Sequence, residues 1–357
     1  MKVISVIGAR PQFIKSGPVS RELRRLATEL VVHTGQHYDQ NMCEVFFRDL
    51  GLPKPNYNLE VGSGSHGYQT AEMLKKLEDV YLQENPDFVL VYGDTNSTIA
   101  AALAAVKLHI PVCHVEAGLR SFNRKMPEEV NRVVTDHLSD LLFCPTDAAV
   151  ENLAHEGIAK GVYLVGDVMY DSLLDNLQVA KSHSPILNQL DLKPHSYVLA
   201  TVHRAENTDD TDRLTGILDA FSELGNSGLR IVFPVHPRTK KRIFEIQRGE
   251  NNNFQLLDPV SYLDMLCLES QSSVILTDSG GVQKEAFWLR VPCVTLRHET
   301  EWIETVATQW NVLVGTDSRA IVNAVQNVKP GNPNNWPWQK GEASRMIAEI
   351  LAKGLNG

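Results

Sequence analysis

The sequence predicts an α/β protein built as two Rossmann-like, doubly wound domains facing a cleft. Three observations carry that prediction. Short runs of β-branched and apolar residues alternate with helical stretches along both halves of the chain, the pattern of parallel strands joined by crossover helices. The runs are continuously apolar rather than alternating, as strands covered on both faces require. Finally, charged and hydroxyl residues gather just after the runs, where ligands of open parallel sheets bind.

In the first half, Lys2 to Ile7 reads as a strand, and Gly8-Ala-Arg-Pro-Gln-Phe13 turns from it into a helix carrying Lys15. Leu30 to Thr34 is a second strand, ending in Gly35-Gln36-His37. Gly62 to Gly67 is a flexible loop before a helix from Gln69 to Glu84. Phe88 to Tyr92 is an apolar strand closed by Gly93-Asp94. Asn96 to His109 is Ala-rich without Gly or Pro and reads as a helix that Thr95 or Asn96 can cap. Pro111 ends it, and Val112 to Val115 is a strand followed by Glu116. Leu141 to Cys144 and Val162 to Val165 supply further strands.

A helix over Asp167 to Asn176 leads to a polar, Pro-containing connection from His183 to Pro194. The domain boundary therefore falls near Gly166–Asp175, giving an N-terminal domain over 1–168 and a C-terminal one over 169–340. In the second half, strands are expected at Tyr197–Val202, Arg230–Val235, Phe254–Leu257, Val274–Thr277, Pro292–Leu296 and Asn311–Val314. Helices lie between them, as over Arg213–Leu224. Residues 341–357 form a last helix whose Met346, Ile347, Ile350 and Leu351 make an apolar stripe that should pack against the body.

Composition narrows the function. A chain of 357 residues with 43% hydrophobic and 22% charged residues suits an ordinary globular protein. A net charge of −9 argues against broad nucleic-acid or membrane-surface binding. No apolar run reaches membrane-spanning length. The first residues enter a strand directly, with no signal peptide, and the five widely spaced cysteines read as reduced buried thiols; both point to the cytoplasm.

The candidate chemistry sits at strand ends. Asp94 and Glu116 follow neighbouring strands, and Glu128 and Glu129 open the next helix, a proposed acid–base centre. Asp94 alone can equally cap the helix after it, and an acid in a first turn is favoured by the helix dipole whatever its role. Arg10 and Lys15 flank a strand–helix junction suited to an anion. In the second half, Thr277-Asp-Ser-Gly-Gly-Val282 joins a strand to a helix, and Ser279, Gly280 and Gly281 leave its first backbone N–H groups open to phosphate. Glu285, on that helix, can hold a ribose diol. The plain alternative is a strand–helix turn with a Ser cap. His203-Arg204 and His236-Pro-Arg238 each follow a strand, and point to phosphate contact or proton transfer. The first turn reads GARPQF rather than GxGxxG, no Tyr precedes a Lys by four residues, and no Walker pattern occurs, so nicotinamide and P-loop chemistry are disfavoured. His33 and His37, split by Gly35 and lacking other ligands, make no zinc site.

The motifs GARPQFIK (8–15), GQH (35–37), GDTNST (93–98), HVEAGLRS (114–121), MPEEVNR (126–132), VHRAEN (202–207), HPRT (236–239) and TDSGGVQKEA (277–286) together resemble the non-hydrolysing UDP-N-acetylglucosamine 2-epimerases. The resemblance spans nearly the whole chain. It implies a fold like the GT-B glycosyltransferases, with a UDP-sugar as substrate, no cofactor, no metal, and a homodimer serving surface-polysaccharide synthesis. It further implies loss of the C2 proton and of UDP from C1, then re-addition with C2 protonated on the other face. Asp94, Glu116 and Glu128 would be the acid–base group, with His203 assisting elimination. Arg10, Lys15, His236, Ser279, Gly280 and Glu285 would contact UDP. Many members have Glu where this chain has Gln12, and Thr-Glu-Arg-Pro where it has Thr300-Glu301-Trp302-Ile303. Those departures resemble a branch acting on UDP-2,3-diacetamido-2,3-dideoxyglucuronate. An allosteric site in one bacterial branch aligns with Tyr68 and Asp39 here and looks incomplete, so no strict activator requirement is expected. The alternatives are a GT-B glycosyltransferase and a UDP-sugar-binding regulator without turnover.

Overall fold

Among the described residues, thirteen strands form two parallel sheets, and the runs of the sequence are their interiors. The structure, a computed structural model, describes residues 1–36, 52–247, 253–332 and 341–355, without the side chains of Arg10 and Gln247. It divides into two compact units, Met1–Asp175 with Trp338–Gly357, and Asn176–Pro337.

In the first unit, β1 (Lys2–Ile7), β2 (Thr28–His33), β3 (Tyr57–Asn58), β4 (Phe88–Tyr92), β5 (Val112–Val115), β6 (Leu141–Cys144) and β7 (Val162–Leu164) order as β3-β2-β1-β4-β5-β6-β7. Every pair is parallel. The chain reverses its direction of travel across the sheet between β1 and β4, so the crevice of the doubly wound fold opens at their carboxyl ends. All five residues of β4 are buried. One face of the sheet packs on Met73, Leu77 and Tyr81 of the helix His66–Glu84 and on Ala100, Ala101, Ala104 and Ala105 of the helix Asn96–Lys107. The small alanines let that second helix lie close to the strands whose ends carry the site.

The second unit repeats the plan. β8 (Tyr197–Thr201), β9 (Arg230–Pro234), β10 (Gln255–Leu257), β11 (Val274–Thr277), β12 (Cys293–Thr295) and β13 (Asn311–Leu313) order as β10-β9-β8-β11-β12-β13. The reversal lies between β8 and β11. Phe221 meets Phe233 and Phe254 edge-on, with centroids 5.6 and 5.8 Å apart, beneath Val198, Ala200 and Leu276.

Three elements differ from the sequence reading. Ser65 caps a helix that already starts at His66, where glycines had suggested loop as far as Gly67. The helix after β7 is unbroken over Val168–His183 rather than ending at Asn176, because no Gly or Pro interrupts it before Pro185, and the division between the units falls inside it. The two-residue strand β3 escaped notice because it is too short to show periodicity. The last helix, Ala343–Lys353, packs on the helix Arg10–Leu23 and belongs to the first unit. It buries Ile347, Ala348 and Leu351. Cys113, Cys144, Cys267 and Cys293 are buried thiols, and Cys43 lies outside the described residues. Among the described residues, no helix is long and apolar enough to cross a membrane.

Candidate active site

At the carboxyl edge of β1, β4 and β5, four charged side chains form two ion pairs. Lys15 donates to Glu116, and Arg132 donates to Asp94. Burial alone would lower the Lys15 ammonium, but Glu116 and Asp94 outweigh it and raise it above its ordinary value. Arg132 behaves alike: burial opposes its charge, and Asp94, Glu129 and Glu116 more than restore it. The pairs set two carboxylates beside two cations at one sheet edge. Gly93, at φ +61°, lies against the Lys15–Glu116 pair: a Cβ there would stand 3.3 Å from both Glu116 Oε2 and Lys15 Nζ. Glu116 is itself at φ +73°, left-handed backbone that a non-glycine residue adopts at a cost of about 1–3 kcal/mol.

Asp94 is not the helix cap. Thr95 occupies that position, its hydroxyl accepting from Thr98 N at 3.4 Å, so the Asp94 carboxylate is left to Arg132. Gln12 is buried and ties the first strand end to the fourth. Its carbonyl accepts from Gly8 N and Ala9 N at 2.8 and 3.0 Å, while its amide donates to Tyr92 O and Thr98 Oγ1 at 2.8 and 3.1 Å. A carboxylate could accept those first two bonds but not donate to Tyr92.

The two acids of the next helix separate cleanly. Glu129 is buried, accepting from Ser121 N (2.9 Å), Ser121 Oγ (2.8 Å), Phe122 N (2.9 Å) and Arg132 (3.1 Å). Burial raises its carboxyl, and these donors outweigh that and hold it below its ordinary value. It fixes the loop before the helix. Glu128 is exposed and has no hydrogen bond or ion pair among the described residues. The Arg10 side chain and His37 lie outside those residues.

The second unit gathers its residues at the ends of β8 and β11. Asp278, fully buried after β11, accepts from His203 N (3.1 Å), Arg204 N (3.0 Å) and Asn207 Nδ2 (3.1 Å), and pairs with His203 Nδ1 at 3.2 Å. Burial raises the carboxyl, but His203 and the backbone donors outweigh it and keep it low. His203 remains 57% exposed above this base. Ser279 caps the helix Gly280–Leu289, accepting from Val282 N at 3.5 Å. A Cβ on Gly280 would collide with Glu301 and come 3.2 Å from Trp302 Nε1. Arg297 donates to Glu301 at 2.9 Å, and Arg204 lies 3.6 Å from it. Trp302, at the position of the missing arginine, lies over Lys284, whose Nζ is 4.0 Å from the ring centroid. A cation therefore remains beneath that position. Glu285 is buried on the same helix, Gly281 is exposed, and His236 is exposed after β9, its Nδ1 accepting from Arg238 N at 3.3 Å.

Lys15, Asp94 and Glu116 thus meet in one unit, and His203, Arg204, Ser279 and Gly280 lie along one edge of the other. Sequence reasoning named Gln12 only as a departure from the family pattern and gave Arg132 and Asp278 no site role. Arg132 follows Glu129 by three positions, about one helical turn, and pairs with it, and that spacing was the available signal. Of the residues aligned with an allosteric site, Tyr68 is 56% exposed and Asp39 lies outside the described residues. Among those residues, no group of three or more His, Cys, Asp and Glu side chains could hold a metal ion.

Comparison with known proteins agrees with this architecture. The family model described as UDP-N-acetylglucosamine 2-epimerase matches residues 21–352. A UDP-N-acetylglucosamine 2-epimerase homolog of Methanococcus maripaludis is 55% identical, over 98% of this chain and 99% of its own. The UDP-2,3-diacetamido-2,3-dideoxy-D-glucuronate 2-epimerase of Pseudomonas aeruginosa is 50% identical, over 99% of this chain and all (100%) of its own. The crystal structure of Methanocaldococcus jannaschii UDP-GlcNAc 2-epimerase with UDP-GlcNAc and UDP superposes with a TM-score of 0.88 at 44% identity, covering 99% of this chain and 100% of that one. With the motif order, the two parallel sheets and these likenesses in agreement, the chain belongs to the UDP-N-acetylglucosamine 2-epimerase family of isomerases.

Proposed function

We propose that this enzyme inverts C2 of a UDP-2-acetamido sugar without hydrolysing it. The observation that carries the reading is the pairing of Asp94 with Arg132 and of Glu116 with Lys15 at the switch point of the first sheet. Two carboxylates, each paired with a cation at one sheet edge, suit a reaction that must handle a proton on either face of one carbon. One carboxylate takes the C2 proton while the C1–O bond to UDP breaks, its electron pair leaving with UDP as C1=C2 forms. UDP oxygen then re-attacks C1 and an acid returns a proton to C2 from the opposite face. Asp94, Glu116 and Glu128 are the acid–base group. His203, steadied by Asp278, assists the departing diphosphate. The N-terminus of the helix Gly280–Leu289, with Ser279, Gly280, Arg204 and His236, receives UDP, and Glu285 its ribose. Arg10 and Lys15 complete the phosphate contacts.

The preferred sugar is the 2,3-diacetamido-2,3-dideoxyglucuronate. The departures at Gln12 and Trp302 support it, and the relative named for that sugar is 50% identical, between the UDP-N-acetylglucosamine 2-epimerase homolog at 55% and the Methanocaldococcus jannaschii enzyme at 44%. The reading extends to a homodimer working in the cytoplasm, which light scattering on the purified chain tests for its first part. Incubation with each UDP-sugar in deuterated water tests the chemistry. Deuterium should enter C2 without any acceptor, faster with the uronate. If neither sugar exchanges, the elimination mechanism is wrong; transfer to an added acceptor would indicate a glycosyltransferase, and binding alone a regulator.

A further inference from the structure

His114 lies on β5, fully buried, and each of its ring nitrogens meets an acceptor. Nε2 is 2.7 Å from the Gly93 carbonyl and Nδ1 is 2.6 Å from Asp136 Oδ1. A carbonyl only accepts, so Nε2 donates to Gly93. The other oxygen of Asp136 accepts from Gly118 N at 3.1 Å and from Arg120 at 2.6 Å. Arg120 in turn forks onto Glu156 at 2.7 and 2.8 Å. This buried line of groups grips both loops of the proposed acid–base centre. Gly93 directly precedes Asp94, and Gly118 stands two residues after Glu116. Gly93 and Glu116 are also both in left-handed backbone, which persists only where neighbouring groups over-determine it.

We propose that His114 is a positioning residue which, held by Asp136, fixes the Gly93 carbonyl and so sets Asp94 and Glu116 at the spacing that C2 proton transfer needs. The inference rests on the epimerase reading. Positioning errors of about 1 Å cost on the order of 10²-fold in rate.

Two substitutions separate the two contacts. In His114→Asn the amide sits where Nδ1 does and can still reach Asp136 but not Gly93. In His114→Gln the amide extends to the position of Nε2 and can donate to Gly93. Turnover, KM, UDP affinity and the melting transition are measured for both, with C2 exchange in deuterated water. His114→Asn is expected to lower kcat by about 10²-fold with KM and UDP affinity within about twofold, and His114→Gln to recover kcat to within about tenfold of the parent. Equal kcat in all three proteins, or equal losses in both variants, would overturn the proposal. Should neither variant fold, Asp136→Asn decides: a normal kcat there overturns it, and a kcat loss at unchanged UDP affinity supports it. Absence of exchange in the unsubstituted enzyme would instead remove the epimerase reading beneath it.

Discussion

Asp94 and Glu116 show how a single charged neighbour changes what a carboxylate can do. Asp94 is paired with Arg132 and Glu116 with Lys15, so Asp94→Asn and Glu116→Gln are expected to lower turnover by about 10²–10⁴-fold while UDP affinity holds, as kcat and UDP titrations would show. Loss of UDP binding of the same size would assign them to the ligand instead. Gly93→Ala places a methyl 3.3 Å from both Glu116 and Lys15 on backbone at φ +61°. It should therefore cost kcat by at least about tenfold, checked by steady-state rates. Gln12→Glu sets a carboxylate against the Tyr92 carbonyl that now accepts at 2.8 Å; a loss of about 1–3 kcal/mol should appear in urea melts. None of these consequences is visible in the residue types alone. Asp94 beside Thr95 reads equally as a cap, and only the fold, with Thr95 capping the helix and Arg132 meeting Asp94 across the edge, removes that alternative.

At the scale of elements, the strand ends do the organising. Asp278 locks the turn after β8 to the end of β11 through two backbone N–H groups and Asn207. Its folded carboxyl lies below the unfolded value of about 3.9, so the stability it contributes is fully present above that pH and is lost as pH falls through the folded value. The gap in melting temperature between the parent and Asp278→Asn should therefore be largest near neutrality and shrink below about pH 4. An unchanged gap down to pH 2 would show that the carboxylate charge is not what holds the turn. The strands themselves were legible because continuous apolar runs such as Phe88–Tyr92 have one comfortable place in an α/β protein. The helix boundaries were less so. Glycines at 62, 64 and 67 suggested loop, but Ser65 supplies a cap that starts the helix inside that stretch.

At the scale of the molecule, the two sheets share one strand order, the first with a seventh strand beyond it, and each gathers candidate residues at its reversal, β1 against β4 and β8 against β11. The C-terminal helix is part of the first unit because Ile347, Ala348 and Leu351 cover the helix that carries Lys15. Leu351→Ala, at a fully buried position, should cost about 2–5 kcal/mol, seen as an earlier thermal transition. If the melt is unchanged, the helix is dispensable to the unit.

By itself, the sequence determined the fold class, the alternation of strands and helices, and the residues after each strand, because periodicity and turn chemistry are local properties of neighbouring side chains. It also carried the motif order that marks the family. Only the tertiary structure decided which charges meet. Lys15 and Glu116 are separated by 101 positions, and His203 and Asp278 by 75. Glu129 became a loop clasp rather than a second free acid because Ser121 and Phe122 fold back onto it. Partnerships of that kind depend on how the parallel strands register, and no local pattern encodes them.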